Sequence, residues 1–148
     1  MILMAKKTAL FIGRFQPLHH GHIHAIRHAQ KKYNTIIAVG SINKRDEKNP
    51  FSYQKRRKMV LSVFPNAEII GINDTTDEKW TRKIKKLKFD IVISGNPKVW
   101  RCLKDCLIEK PQFLKFDKYN GSEIRKMIKS GKNIDKLVPK NVRKAIEA

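Results

Sequence analysis

The feature of this 148-residue chain that most limits its fold is a regular alternation of short apolar runs and longer helical patterns. The apolar runs are rich in β-branched residues, which is typical of strands buried on both faces of a sheet. The stretches between them have the length of single helices, about 10–15 residues. Strands and helices that alternate in this way predict βαβ units, and therefore an α/β fold with a parallel sheet covered by helices on both faces.

The alternation divides the chain into about five strands and six helices. The predicted strands are Thr8–Ile12, Asn34–Gly40, Ala67–Ile72, Phe89–Ile93 and Phe113–Phe116. The predicted helices are Gly21–Lys32, Ser52–Val63, Asp77–Leu87, a helix that begins at Asn96-Pro97, Ser122–Lys129 and Pro139–Ile146. Residues 1–148 are predicted to form a single domain, with the helix at 139–146 as a C-terminal extension.

The charge of the chain predicts an anionic ligand. Thirty-three lysines and arginines against thirteen acidic residues give a net charge of +20, which attracts nucleotides, nucleic acids or acidic membrane surfaces. Cys102 and Cys106 supply only two zinc ligands, so we expect reduced thiols and no protein-bound metal. Because no secretion signal and no apolar run of ~20 residues is present, we expect a cytoplasmic protein with no membrane partner.

The stretch that follows the first predicted strand, Gly13–His22 (GRFQPLHHGH), is the first candidate site. Ligands of parallel α/β sheets bind beyond the carboxyl ends of the strands, which is where this loop lies. Gly13 lets the backbone approach an anion closely, and the free N–H groups at the start of the next helix favour phosphate. His19 and His22, three residues apart, can point to one spot, so the loop predicts a phosphate-transfer site.

The same stretch carries a family resemblance. The pattern Gly-x-Phe-x-Pro-x-His-x-Gly-His resembles the signature of the HxGH nucleotidyltransferase superfamily, and the form "GRFQP" is similar to archaeal-type nicotinamide-nucleotide (NMN) adenylyltransferases. The resemblance implies a Rossmann-like fold and contacts of His19 and His22 with the triphosphate of ATP, without a covalent enzyme intermediate. It also assigns to the ATP site Gly13, Arg14, Phe15 and Gly21.

His20, His24 and His28 form a row of side chains at i, i+4 and i+8 on the helix that follows the first loop. Such a row can bind a metal in principle. No carboxylate belongs to the row and lysines are nearby, so we expect an exposed histidine face instead.

A second stretch, Asn120–Arg125 (NGSEIR) after Tyr119, resembles the family's "SGTEIR" pattern at a helix start. Ser122 keeps the hydroxyl of the threonine, and Asn120 replaces the first serine with a side chain that can cap a helix. A hydroxyl, free backbone N–H groups and an arginine one turn into the helix can hold the β- and γ-phosphates of ATP. The resemblance therefore adds to the ATP site Tyr119, Asn120, Ser122 and Arg125, of which Arg125 joins the two histidines as catalytic.

Shorter matches lie between the two stretches. Ser94–Pro97 (SGNP) resembles the loop beside the adenosine in relatives, which adds Gly95 and Asn96 to the ATP site. Asn49–Ser52 (NPFS) resembles the family's "NPFT", but Lys55 stands where many members have a glutamate.

The acceptor is predicted from the resemblance as well. In NMN-specific relatives a tryptophan stacks on the nicotinamide ring, and Trp80 stands at the matching place; the alternative is that it packs a helix on the sheet. The NMN site would comprise Trp80, Asp77, Arg14 and Ser41, whereas Trp100 is expected only to pack.

The implied reaction joins ATP and NMN to give NAD and pyrophosphate, by in-line attack of the NMN phosphate on the α-phosphate. Mg²⁺ on the ATP phosphates is the expected cofactor by analogy with phosphoryl transfer. The resemblance also allows a homo-oligomer.

Two alternatives stay open. The first is another acceptor within the superfamily, such as phosphopantetheine or flavin mononucleotide, or CTP as the donor. The second is a nucleic-acid-binding protein, based on the net charge and on the basic clusters Lys55–Lys58 and Arg82–Lys88. No dedicated nucleic-acid motif accompanies these clusters, so no nucleic-acid partner is expected.

Overall fold

The computed structural model describes residues 5–112 and 119–148, and its centre is a five-stranded parallel sheet. The strands are β1 (Thr8–Gly13), β2 (Asn34–Val39), β3 (Glu68–Gly71), β4 (Ile91–Ile93) and β5 (Ile108–Glu109). They lie in the order β3-β2-β1-β4-β5, and every pair is parallel. The chain therefore builds outward from β1 to β3 and then continues on the other side of β1, so the strand order reverses between β1 and β4. A ligand crevice is expected at their carboxyl ends.

Within the described residues, six helices connect these strands or follow them: α1 (His20–Lys32), α2 (Tyr53–Val63), α3 (Asp77–Lys85), α4 (Pro97–Cys102), α5 (Gly121–Lys129) and α6 (Lys140–Glu147). Polar side chains cap five of the starts, since His19, Ser52, Thr76, Asn96 and Asn120 each accept a hydrogen bond from a backbone N–H of the first turn. Gly131 has a left-handed backbone, with φ at 70°, just beyond the end of α5.

Successive residues of the central strands point to opposite faces of the sheet and enter two separate cores. Ala9 and Phe11 pack in the core that includes Ile26, Met59, Ile124 and Val142, from α1, α2, α5 and α6. Leu10, between them, packs in the core that includes Trp80, Ile84 and Val99, from α3 and α4. Helices thus cover both faces, as the alternation in the sequence predicted. Helix α6, treated as an extension from the sequence, packs on α2 and buries Val142 completely.

The predicted elements differ from the structure mainly at their ends. Helix α1 begins at His20, one residue earlier than predicted, and α3 ends at Lys85 instead of Leu87. The fifth strand was placed at Phe113–Phe116, which lies outside the described residues. The structure has a fifth strand at Ile108–Glu109, and the prediction missed it because two residues are too few to show a periodic pattern.

Candidate active site

The start of α1 is built around His19 and His22, which cap the helix reciprocally. His19 is the N-cap residue, and its Nδ1 accepts hydrogen bonds from the backbone N–H groups of Gly21 (3.1 Å) and His22 (3.4 Å). In return, Nδ1 of His22 accepts a hydrogen bond from the backbone N–H of His19, at 3.2 Å. The two rings stack with their centroids 3.7 Å apart. This is a capping box in which imidazoles take the places usually held by serine and glutamate.

The capping bonds determine the protonation of both rings. A nitrogen that accepts a hydrogen bond carries no proton, so each neutral imidazole holds its proton on Nε2 and is a donor there. Burial, helped by the charge of His20, lowers the pKa of His19 to about 4. Burial and the neighbouring His19 lower the pKa of His22 well below its usual range. Both rings are therefore neutral N–H donors at physiological pH, which suits contact with phosphate oxygens and does not suit service as a base.

The loop between β1 and α1 is held in an unusual backbone conformation. Phe15 has φ at 53°, a left-handed value that is uncommon for an aromatic residue, and the Gln16–Pro17 peptide bond is cis. The Gln16 side chain is buried and forms two hydrogen bonds with the backbone of Phe51, one to its carbonyl (3.2 Å) and one from its N–H (3.0 Å). A side chain at Gly13 would not fit, because its Cβ would lie 2.8 Å from the Phe15 ring.

The late motif meets this loop directly. Nη1 of Arg125 donates a hydrogen bond to the backbone carbonyl of Gln16 at 3.0 Å, although the two residues are 109 positions apart. A Cβ on Gly21 would lie 2.9 Å from both the His19 ring and Cβ of Tyr119, so the two segments are also in contact there. Asn120 accepts bonds from the N–H groups of Ser122 (2.9 Å) and Glu123 (3.4 Å) and thereby caps α5. The two motif segments, Gly13–His22 and Tyr119–Arg125, are therefore in direct contact.

A cavity of about 440 Å³ opens at the carboxyl ends of β1, β2 and β4, where the strand order reverses. Seven of the predicted site residues line it: Gly13, Arg14, His22, Ser41, Trp80, Gly95 and Asn96. Trp80 is 7% exposed, packs in the second core and also contributes to the cavity wall, so its packing is observed, while its contact with the nicotinamide ring stays a prediction. The remaining predicted residues of the ATP site are not among those that line this cavity.

A second cavity, of about 590 Å³, lies against α5 and is lined by Ser122 and Arg125. Lys48, Lys126 and Lys129 also line it, against a single carboxylate, that of Glu47. Burial, followed by the charge of Arg14, lowers the pKa of Arg125 from its usual value.

Asp77 is placed differently from the prediction. It is not among the residues that line the first cavity, and its half-exposed carboxylate pairs with Lys98 and Arg101, each at 3.4 Å. These ion pairs connect the start of α3 to α4, and hydrogen bonds from both partners lower the pKa of this carboxyl. The expected contact of Asp77 with NMN therefore has no support from the geometry.

The histidine row and Lys55 also differ in part from the expectation. His24 is exposed as predicted, but His20 is half-buried and lies edge-on to the Tyr119 ring, with the centroids 6.2 Å apart. Nζ of Lys55, in place of the family's glutamate, donates hydrogen bonds to the carbonyls of Ile146 (3.3 Å) and Ala148 (2.7 Å) at the end of α6. The positive charge of Lys55 stabilises the negative C-terminal end of the α6 dipole, so this lysine supports the packing of α6 on α2.

Sequence reasoning missed two residues that shape the site. Arg56 was assigned to a basic surface cluster, but it is completely buried beneath the cavity. The available signal was its position on the apolar face of α2, three and four residues before Met59 and Val60. Trp100 was expected only to pack, yet its Nε1–H donates a 2.6 Å hydrogen bond to the carbonyl of Ser94, which anchors the loop that carries Gly95 and Asn96.

Within residues 5–112 and 119–148, no helix combines the length and apolar character needed to cross a membrane. Among the same residues, no group of three or more histidine, cysteine, aspartate or glutamate side chains is arranged to hold a metal ion.

Comparison with known proteins identifies the family of this chain. The family model described as cytidylyltransferase-like matches residues 10–138. The chain is 35% identical over 144 residues to a nicotinamide-nucleotide adenylyltransferase of Methanolobus tindarius, a match that covers 90% of this chain and 83% of that protein. It is 33% identical over 153 residues to the protein of that name from Methanosarcina mazei, covering 95% and 87% of the two chains.

A solved structure from Vibrio parahaemolyticus, described as a candidate nicotinate-nucleotide adenylyltransferase, superposes with a TM-score of 0.67 over 97% of this chain and 99% of that one. At 15% sequence identity this likeness concerns the fold. Family model, relatives and fold agree with the resemblance carried by the two motifs. The chain belongs to the cytidylyltransferase-like family and, within it, to the nicotinamide-nucleotide adenylyltransferases.

Proposed function

We propose that this protein transfers the adenylyl group of ATP to NMN, giving NAD and pyrophosphate. The observation that carries the proposal is the junction of the two motif segments: Arg125 bonds to Gln16 beside a pair of neutral, Nε2-protonated histidines. These groups present several hydrogen-bond donors and a positive charge, as a site for a triphosphate requires.

The reaction asks the protein for positioning and charge stabilisation. The NMN phosphate attacks the α-phosphorus in line, and the bond to the pyrophosphate oxygen breaks. His19 and His22 donate from Nε2 to oxygens of the α- and β-phosphates, where negative charge develops. Arg125 and Ser122 hold the β- and γ-phosphates, and Arg14 contacts one of the phosphates. No general base is needed, because a phosphate monoester is already ionised near neutral pH.

Mg²⁺ is the proposed cofactor, carried on the phosphates. Among the described residues that line the cavity, one has a carboxylate, Asp74, and two have positive side chains, Arg14 and Lys98. Such a donor set fits an ion held mainly by substrate oxygens. When bound, Mg²⁺ would neutralise charge on the pyrophosphate leaving group.

NMN is the proposed acceptor because Trp80 contributes to the wall of a cavity large enough for a nucleotide base and ribose. A tryptophan face attracts a positively charged nicotinamide ring. The relatives named nicotinamide-nucleotide adenylyltransferases support the same choice.

The test is release of pyrophosphate by the purified protein with ATP, Mg²⁺ and one acceptor at a time: NMN, phosphopantetheine or flavin mononucleotide, with CTP replacing ATP in a parallel series. We expect pyrophosphate only when ATP and NMN are both present. His22→Ala should lower turnover about 10²–10³-fold, the usual cost of losing one transition-state donor. His24→Ala removes an exposed histidine of the same helix and should leave turnover unchanged. Turnover with another acceptor and none with NMN would refute the assignment.

A further inference from the structure

Arg56 is a buried cation beneath the two loops that form the cavity mouth. Its side chain is 0% exposed, and the guanidinium donates four hydrogen bonds to backbone carbonyls. Nη1 donates to Arg14 (2.8 Å) and to Gly40 (2.7 Å), Nη2 donates to Ser41 (3.3 Å), and Nε donates to Ser52 (3.3 Å). One side chain thus joins the loop after β1, the loop after β2 and the start of α2.

The charge of Arg56 has no close counter-charge in the part of the chain that the structure describes. No ion pair within 4.0 Å involves this residue among residues 5–112 and 119–148. Burial, and then the charges of Arg14 and Arg45, lower its pKa to about 10, with a smaller opposing effect of Asp74. The group stays protonated at neutral pH. A buried charge balanced only by carbonyl dipoles is costly, and a further anion nearby would relieve that cost.

Two of the loops that Arg56 joins, those after β1 and after β2, each contain a residue other than glycine with a left-handed backbone. Phe15 (φ 53°) follows the Arg14 carbonyl, and Ser41 (φ 54°) supplies a carbonyl itself. Such conformations persist only where surrounding contacts hold them. Arg14 and Ser41 both line the cavity, so the bonds of Arg56 set the spacing between two of its walls.

We propose that Arg56 is a positioning residue for nucleotidyl transfer, which holds the loops after β1 and β2 at a working distance, and that the bound phosphates supply its missing counter-charge. The catalytic part rests on the proposed function, while the part concerning charge requires only that an anion binds in the cavity. The two parts separate experimentally, because a lysine keeps the charge but cannot span four carbonyls as a guanidinium does.

The experiment compares Arg56→Gln and Arg56→Lys with Arg57→Gln, which removes an exposed arginine at the next position of α2. Binding of inorganic tripolyphosphate is measured by calorimetry, and kcat and KM are measured by pyrophosphate release. We expect Arg56→Gln to weaken tripolyphosphate binding about tenfold, because a charge in a poorly solvated place acts over longer distances than a surface one. Arg56→Lys should keep binding within about threefold and lower kcat about 10- to 100-fold, with little change in KM.

A merely structural role would lower the midpoint of urea unfolding of both Arg56 variants and leave binding and kcat at the values of Arg57→Gln. That result would overturn the proposal. A kcat of Arg56→Lys equal to that of the wild type would also overturn it. If Arg56→Gln does not fold, the kcat of Arg56→Lys is sufficient to test the proposal. If neither variant folds, the Nε–H resonance of Arg56 in the wild-type protein carries the test: it should shift when tripolyphosphate is added, and an unmoved resonance refutes the idea.

The outcome is distinguishable from failure of the proposed function. A wild-type protein that releases no pyrophosphate from ATP and NMN, but binds tripolyphosphate more tightly than Arg56→Gln does, refutes the reaction and supports the counter-charge. A wild-type protein that is active, with Arg56 variants that bind and turn over normally, refutes the role of Arg56 and supports the reaction.

Discussion

Replacement of His19 separates its structural contribution from its chemical one. Its Nδ1 caps α1 through Gly21 and His22, whereas Nε2 is the proposed phosphate donor. His19→Ala removes both groups. His19→Asn removes the Nε2 donor but keeps a short side chain with an oxygen acceptor, and asparagine is among the best N-cap residues.

The two variants should therefore differ in stability and agree in activity. Loss of an N-cap costs about 1 kcal/mol, which for a chain of this size corresponds to about 2–4 °C in the midpoint of thermal unfolding. His19→Ala should melt lower than His19→Asn by about this amount, because the loss of ring packing on His22 is common to both variants and only the cap differs. Turnover should fall about 10²–10³-fold in both.

The assays are thermal unfolding by circular dichroism and steady-state pyrophosphate release well below the lower melting temperature. His24→Ala is the control, because it removes an exposed histidine of the same helix. Equal melting temperatures of His19→Ala and His19→Asn would show that the N-cap of α1 does not contribute to the stability of the folded protein. Turnover of His19→Asn close to that of the wild type would refute the assignment of His19 to the phosphates.

Three further predictions concern acidity and the two tryptophans. Because the pKa of His19 is lowered from 6.5 to about 4, the unfolded chain binds more protons between these values, and stability must fall as pH falls through this window. His22, whose pKa is also lowered, loses stability in the same direction, so the test is the difference between two proteins: in urea unfolding between pH 7 and pH 5 the wild type should lose about 2 kcal/mol more than His19→Asn does. An equal loss in both proteins would contradict the burial argument. Trp80→Phe should raise the KM for NMN about 3- to 10-fold and leave that for ATP unchanged, so an equal rise for both substrates would favour packing alone. Trp100→Phe removes the hydrogen bond to Ser94 and should raise the KM for ATP about 3- to 10-fold. An unchanged KM for ATP would show that the loop after β4 does not contact the adenosine.

The fold class could be predicted from the sequence because each strand and helix leaves its own hydrophobic pattern in a short stretch of the chain. The runs at 8–12 and 34–40 are continuous and β-branched, so they could only be buried strands, and β1 and β2 confirm them. The strand at Ile108–Glu109 shows the limit of this reasoning, since two residues carry no period. The position of that strand is decided by its pairing with β4, which is a tertiary interaction.

Candidate site residues could be predicted from the sequence only where they belong to a short motif. His19, His22 and Arg125 could be proposed because particular residue types at particular spacings suit a helix start that binds phosphate, and their roles stay predictions. Spacing could not reveal that Lys98 and Arg101, on another helix, pair with the carboxylate of Asp77.

By itself, the sequence determined the order of strands and helices, the family and the positions of the two motif segments proposed to bind phosphate, because each depends on residues close together in the chain. Only the tertiary structure decided that Arg125 reaches Gln16 across 109 positions and that Arg56 is buried instead of lying on a basic surface. The physical reason is that burial and pairing of a charge depend on which distant carbonyls and carboxylates the fold brings within hydrogen-bonding distance.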